Sequence, residues 1–82
     1  MRVVIQSGIP IEELTDYFEN KVHRVTGQVY ASKNWQVEIK TEKGLRYKSL
    51  PIPQTQLVFS GEEEAVEREV RQYRRTFLRG GG

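Results

Sequence analysis

The residues of this chain that could move a proton or bind a metal are few and scattered. His23 is the single histidine, and carboxylates are concentrated at Glu12 and Glu13 and in residues 62–64. Consecutive helical side chains diverge, so these carboxylates cannot converge on one atom as acid-base catalysis requires. They suit the positive N-terminal end of a helix dipole, and His23, which we place late in a first helix, suits a C-terminal end. We therefore predict no catalytic residue, metal ion, cofactor or small-molecule substrate, and no enzymatic activity.

Polar, basic and aromatic residues in the middle of the chain could form one exposed surface. We predict that seven of them share an uncovered sheet face: Gln28, Tyr30, Gln36, Glu38, Lys40, Arg46 and Lys48. Single-stranded nucleic acid needs aromatic rings for stacking beside positive charge for its phosphates. Glu38 interrupts the positive charge, however, and Glu-Lys pairs are ordinary on a solvated sheet face. Nucleic-acid binding is therefore an alternative, and protein binding is favoured.

The sequence ends in three glycines, residues 80–82. In ubiquitin-like sulfur carriers a terminal Gly-Gly carboxylate is adenylated and converted to a thiocarboxylate, a role that would fall to Gly81 and Gly82 here. Glycine makes such a tail slim and flexible, and three residues reach at most about 10 Å. Those carriers end in a strand, whereas a helix is predicted before this tail. A helix C-cap with a frayed terminus is therefore favoured, and the carrier function is the alternative.

Composition limits the class of protein. Eighty-two residues make one small domain with a thin core. Thirteen Lys and Arg against eleven Asp and Glu give a formal net charge of +2, which is too small to indicate nucleic-acid binding. The lack of Cys excludes disulfides and thiol nucleophiles and favours a reducing cytoplasm. No run approaches the ~20 apolar residues of a membrane span, and the 29% of charged residues give a thermophile-like composition.

Residues 35–49 are the stretch around which the fold is predicted to form. Apolar and polar residues alternate on both sides of a three-residue loop that ends in Gly44, which is typical of a β-hairpin. The predicted register pairs Ile39 with Tyr47. One face of the hairpin is predicted to enter the core through Trp35, Val37, Ile39, Leu45 and Tyr47.

Apolar spacing also predicts the elements before this hairpin. Residues 2–6 are apolar at consecutive positions, so we place a first strand there, inside the sheet. Pro10 starts a helix that Gly27 ends. Its apolar stripe has spacings of three and four: Ile11, Leu14, Phe18, Val22 and Val25. Val29 and Ala31 indicate a short second strand that faces the core with these two residues.

After the hairpin the chain is predicted to form one more strand and a second helix. Pro51 and Pro53 cannot donate ladder hydrogen bonds and indicate a bent edge segment, which is followed by a strand at residues 55–59. Ser60 and Glu63 have the spacing of a capping box at a helix start. The helix has an apolar stripe and a terminating glycine: Val66, Val70, Tyr73, Phe77 and Gly80.

The order of the elements is strand, helix, three or four antiparallel strands and helix, which defines an α+β fold. Two amphipathic helices on one sheet face would leave the other face open. We predict a single domain over residues 1–79 and a glycine tail over residues 80–82.

Three short stretches share a pattern with a known family. They read Ser-Leu-Pro-Ile-Pro-Gln from Ser49, Gly-Glu-Glu from Gly61 and Arg-Gly-Gly-Gly from Arg79. With the helix around Leu14 and Phe18, they resemble the C-terminal domain of MoaD-related proteins. That domain, whose function is unknown, is classed as TBP-like and follows a small sulfur-carrier-like domain. The resemblance implies the TBP-like fold and a link to molybdopterin or sulfur-transfer biology, carries over no catalytic residue, and suggests that the domain stands alone here.

An uncovered sheet face with long side chains is a common binding surface. We therefore expect a non-catalytic interaction or accessory module that binds a protein partner or a second copy of itself. The alternatives are a sulfur carrier or ubiquitin-like modifier acting through the tail, and a nucleic-acid-binding module acting through the open face.

Overall fold

A computed structural model describes residues 1–42, 46–47, 50–51 and 54–77, with side chains described for residues 1–41 and 55–77. The elements follow in the order β1 (Arg2–Ser7), α1 (Ile11–Glu19), β2 (Arg24–Thr26), β3 (Val29–Ala31), β4 (Trp35–Glu42), β5 (Arg46–Tyr47), β6 (Leu50–Pro51), β7 (Gln54–Gly61) and α2 (Glu63–Phe77). Neither helix in this part of the chain has the length and apolar character needed to span a bilayer.

Five of the strands form one antiparallel sheet in the order β1-β7-β4-β3-β2. Strand β4 pairs with β7 over eight positions, beginning with Trp35 opposite Gly61. Strands β5 and β6 form a separate two-stranded sheet in the connection between β4 and β7. The predicted hairpin register is wrong, because Ile39 pairs with Leu57 and not with Tyr47. The eight-residue β7 offers β4 a much longer partner than the two-residue β5 does.

The prediction that the first strand lies inside the sheet is wrong, because β1 lies at an edge. Val3 and Ile5 pack against the core on the helix side. Val4 points to the opposite side and is 45% exposed. Consecutive apolar residues predict a strand covered on both faces, but the helices cover only one face of this sheet.

Helix α1 ends at Glu19, earlier than predicted. The C-cap residue is Asn20, whose Nδ2 donates a hydrogen bond to the carbonyl oxygen of Asp16 at 2.8 Å. Beyond it, β2 and β3 pair around a two-residue turn in which Gly27 has a φ of 59°. A left-handed residue is what a tight hairpin turn needs. Gly27 therefore turns a hairpin instead of ending the helix, and Val25 lies exposed in β2.

Both helices pack on the same sheet face, and the α+β single-domain fold is confirmed. One core cluster joins α1, α2 and the sheet, and its largest fully buried side chains are Tyr73, Phe18, Phe59, Leu14, Leu57, Val37 and Val66. The predicted core residues Trp35, Val37 and Ile39 belong to it. The predicted apolar residues of α2 lie in this cluster or pack against it. The side chains of Leu45 and Tyr47 lie outside those described.

Helix α2 begins two residues after Gly61, at a close junction between strands and helix. Gly61 has a φ of 138°, and a Cβ there would lie 2.4 Å from the carbonyl oxygen of Asn34. The N–H of Glu62 donates to that same oxygen at 2.9 Å. Ser60 is part of β7, so it does not form the predicted capping box.

Candidate functional site

The sheet face opposite the helices, called the open face below, is defined by the strand register. Directly paired residues of neighbouring strands point to the same side. Two rows cross all five strands on this face: Arg2, Ser60, Gln36, Ala31 and Arg24 in one, and Val4, Val58, Glu38, Val29 and Thr26 in the other. A third row contains Gln6, Gln56 and Lys40. The described helices both lie on the other side and leave these rows uncovered.

The second row gives the open face an apolar strip of three valines, Val4, Val58 and Val29, which Glu38 of the central strand β4 interrupts. Val4 is 45% exposed, whereas its pairing partner Val58 is only 7% exposed. Val29 and Ala31 are half-buried on the same face. An apolar strip bordered by polar side chains is typical of a surface that binds another protein.

The charges on the open face are mostly positive among the described side chains. Arg2, Arg24 and Lys40 are the cations, and Glu38 is the carboxylate. Lys40 Nζ lies 4.0 Å from Glu38 Oε1, and both side chains are exposed, so this ion pair contributes little stability. A complementary surface would therefore carry acidic groups.

The structure places four of the seven predicted surface residues where they are accessible. Gln36, Glu38 and Lys40 lie on the open face. Gln28 is exposed in the turn between β2 and β3, and its carbonyl oxygen accepts a hydrogen bond from the N–H of Ile39 at 2.9 Å.

Tyr30 does not belong to the open face, and its prediction is wrong. It pairs with Val37 on the helix side and is 6% exposed. The prediction assigned Val29 and Ala31 to the core, and a shift of one residue moves every side chain of a strand to the other face. Burial, and after it the negative charge of Glu19, raise the pKa of the Tyr30 hydroxyl.

The structure does not describe the side chains of the other predicted residues. Arg46 belongs to β5, which is not part of the five-stranded sheet, and its side chain is not among those described. Lys48 and the tail residues Gly80, Gly81 and Gly82 lie outside the described residues.

The open-face residues that sequence patterns did not identify include two arginines and three valines: Arg2, Arg24, Val4, Val29 and Val58. The available signal was the run of consecutive apolar residues in both β1 and β7, Val3-Val4-Ile5 and Leu57-Val58-Phe59. Such runs indicate apolar side chains on both faces of a strand. They therefore pointed to an apolar strip on the face that the helices do not cover.

The described part of the open face carries no aromatic side chain. Tyr30 and Trp35 are both buried in the core on the helix side. Stacking platforms for single-stranded nucleic acid need exposed rings. This part of the face therefore suits a protein surface better than a nucleic acid.

The acidic residues and the histidine lie apart from one another. Glu12 and Glu13 are exposed in the first turn of α1, and Glu63 and Glu64 are exposed in the first turn of α2. His23 precedes β2 instead of lying in the first helix, and its N–H bonds to β3. Over the described ranges, no group of three or more His, Asp or Glu side chains could hold a metal ion.

A polar cluster on the helix side joins the end of α1 to α2. Lys21 Nζ lies 2.9 Å from Oε1 of Glu69, in an ion pair rather than a directed hydrogen bond, and the Glu69 side chain is 7% exposed. Lys21 also donates to Tyr17 Oη at 3.2 Å and to Gln72 Oε1. Burial acts to lower the pKa of Lys21, but Glu69 and Tyr17 outweigh it and raise this pKa. Through this ion pair with Glu69 and the hydrogen bonds to Tyr17 and Gln72, Lys21 links the end of α1 to α2.

The structure defines a small α+β domain in which the described helices leave one face of the five-stranded sheet uncovered. The profile of the family described as archaeal MoaD-like protein matches residues 3–82. The chain belongs to the archaeal MoaD-like protein family. This confirms the resemblance drawn from the sequence and extends it from those short stretches and the helix around Leu14 and Phe18 to nearly the whole chain. The comparison with curated proteins gave no match.

Proposed function

We propose that this member of the archaeal MoaD-like family is a non-catalytic module that binds a partner protein with its open face. The observation that carries the proposal is the apolar strip of Val4, Val58 and Val29, interrupted by Glu38, which lies on a face that both described helices leave uncovered. Covering such a strip gains about 25 cal/mol for each Å² of apolar surface removed from water.

The charges and apolar residues of the open face indicate which kind of partner surface would fit it. Arg2 and Arg24 lie at opposite ends of one row, and Lys40 lies in another row. A partner surface with an apolar centre and an acidic rim would complement this arrangement. The MoaD-like family description supports a partner from the molybdopterin or sulfur-transfer enzymes, met in the cytoplasm.

The test uses two matched charge reversals. Lys40→Glu changes the open face, and Lys33→Glu makes the same change at an exposed position in the turn between β3 and β4. Calorimetric titration with the purified adenylating and sulfur-transfer enzymes of the source organism should show micromolar binding to at least one of them. Lys40→Glu should weaken that binding by about tenfold, which corresponds to about 1.4 kcal/mol. Lys33→Glu should change it by less than about twofold.

Two results would overturn this proposal. The first is no binding to any enzyme of the set, and the second is an equal loss in both variants. Salt-sensitive binding of single-stranded oligonucleotides that only Lys40→Glu removes would instead assign the face to nucleic acid.

A second candidate function is that of a sulfur carrier, and the extent of the family match favours it. The match runs to residue 82 and so includes the glycine tail. In this chemistry the Gly82 carboxylate attacks the α-phosphate of ATP and displaces pyrophosphate, and hydrosulfide then attacks the carbonyl carbon of the adenylate and displaces AMP to give a thiocarboxylate. Mass spectrometry after incubation with ATP, a sulfur donor and an activating enzyme should detect the adenylate or the thiocarboxylate. Detection of neither product would refute the carrier function.

A further inference from the structure

The two edges of the five-stranded sheet differ in length and in protection. Strand β2 forms one edge with three residues, and β1 forms the other with six. Long edges are usually protected by lysine, proline, a bulge or a covering element, because unpaired N–H and C=O groups invite further pairing. From Val3 to Ser7, β1 has no charged residue and no proline, and its register with β7 is uninterrupted. Among the described residues only β7 pairs with β1, so the other edge of β1 has no protection beyond the charge of Arg2 at the start of the strand.

A groove of about 390 Å³ lies beside this edge on the helix side. Its lining consists of Met1 and Val3 together with four residues of α2, namely Glu67, Val70, Arg71 and Arg74. These four are spaced by three and four positions, so they form one stripe along the helix, called the α2 stripe below. The apolar Val70 lies in the middle, the acidic residue lies toward the helix N-terminus, and the basic residues continue toward the C-terminus.

The α2 stripe is complementary to itself when two helices run antiparallel. A two-fold rotation sets the N-terminal half of one α2 against the C-terminal half of the other. Glu67 then faces Arg71 or Arg74 of the second copy, and the two Val70 side chains meet in the middle. The same rotation sets the two β1 strands antiparallel and brings the exposed Val4 of each copy together. Such self-complementarity is what an isologous contact requires.

We propose that two copies of this chain associate through β1 and the α2 stripe, and that their sheets join into one antiparallel sheet of ten strands. All four helices lie on one side of this dimer, and the two open faces become continuous on the other. The opposite charges in the two halves of the α2 stripe identify the occupant as a second copy rather than an unrelated extended peptide. The proposal goes beyond the partner-binding function, because it assigns the sheet edge and not the open face.

Two valines with equal exposure provide a matched test. Val4 and Val25 are each 45% exposed, and they lie on opposite edge strands. Sedimentation velocity over the micromolar range should show a reversible dimer of the unaltered chain. Val4→Lys, which places a charge on the β1 edge, should raise the dimer dissociation constant at least about tenfold. Val25→Lys should leave it within about twofold.

A charge swap tests the α2 stripe separately. Glu67→Arg should weaken the dimer, and adding Arg71→Glu to the same chain should restore most of the lost affinity, because each charge meets its opposite again. A monomeric unaltered chain, equal effects of the two valine variants, or no recovery in the swapped chain would each overturn the proposal. So would a monomer whose β1 edge binds an extended peptide instead. Lys40→Glu should keep the dimer, which separates failure of this proposal from failure of partner binding on the open face.

Discussion

The ion pair between Lys21 and Glu69 makes a sharp prediction about stability. Replacing Lys21 by Met keeps the length and most of the apolar stem of the side chain but removes its charge. The carboxylate of Glu69, whose side chain is 7% exposed, then loses the ammonium 2.9 Å from its Oε1. The variant should therefore be less stable because a charge stays buried, and not because packing is lost.

The magnitude follows from how deeply the two charges are buried. Removing one partner of a fully buried ion pair costs about 3–5 kcal/mol. Two features reduce the cost here: the Lys21 side chain is 22% exposed, and Arg68 Nε lies 3.9 Å from Oε2 of Glu69. We expect Lys21→Met to lower the free energy of unfolding by about 2–3 kcal/mol. In a domain of this size that is a fall in Tm of roughly 10–20 °C.

Urea denaturation followed by the fluorescence of the buried Trp35 measures the change. Lys33→Met is the matched control, since Lys33 is exposed in a turn, and it should change stability by less than about 0.5 kcal/mol. Adding Glu69→Met to Lys21→Met removes the orphaned charge. This double variant should return to within about 1 kcal/mol of the unaltered chain.

Two outcomes would refute this reasoning about the ion pair. One is a loss in Lys21→Met no larger than that in Lys33→Met. The other is a double variant as unstable as Lys21→Met alone, which would assign the effect to packing and not to the buried charge.

Three further predictions concern other parts of the described structure. Gly61→Ala should destabilise the chain by at least about 2 kcal/mol in thermal unfolding, because φ is 138° and the new Cβ would lie 2.4 Å from the Asn34 carbonyl oxygen; an unchanged Tm would contradict this. Tyr73→Phe removes the buried 2.6 Å hydrogen bond that Tyr73 Oη donates to Ser7 Oγ, and should cost about 1 kcal/mol in urea denaturation; a stabilised variant would be evidence against a favourable bond. The pKa of Lys21 is raised in the folded chain, so its ion pair stabilises the fold fully below the unfolded pKa of about 10.4, and this stabilisation is lost as pH rises through the folded pKa. The free energy of unfolding should therefore fall more steeply at alkaline pH in the unaltered chain than in Lys21→Met. Parallel pH profiles of the two chains would argue against a stabilising ion pair.

The local spacing of apolar residues predicted the buried side of β4 and of α2, each of which packs on the core along one side. Trp35, Val37 and Ile39 alternate with polar residues because β4 is covered by helices on one face only. The stripe that includes Val66 and Tyr73 follows the helical period because α2 packs on the core along one side. In both cases the sequence spacing and the burial have the same cause.

Periodicity failed where a partner distant in sequence decided the outcome. Ile39 lies closer along the chain to Tyr47 than to Leu57, yet it pairs with Leu57, because strand pairing depends on the length and apolar character of both strands. Tyr30 was misplaced for a related reason, since its face is set by its pairing with Val37. Gln36, Glu38 and Lys40 were predicted on the correct face because they alternate with core residues of β4, and this alternation sets the face of a side chain whichever strand pairs with β4.

The position of β7 between β1 and β4 has a consequence for how the chain folds during synthesis. Residues 54–61 supply the strand that joins β1 to the rest of the sheet, so these two parts stay separate until the ribosome has made residues 54–61. The pairing of Arg2 with Ser60 closes a loop of well over half of the domain, and such distant contacts slow folding because loop closure costs entropy before the contact is gained. During that interval β1 lacks β7, the strand with which it pairs, so its apolar residues and unpaired backbone groups are open to aggregation.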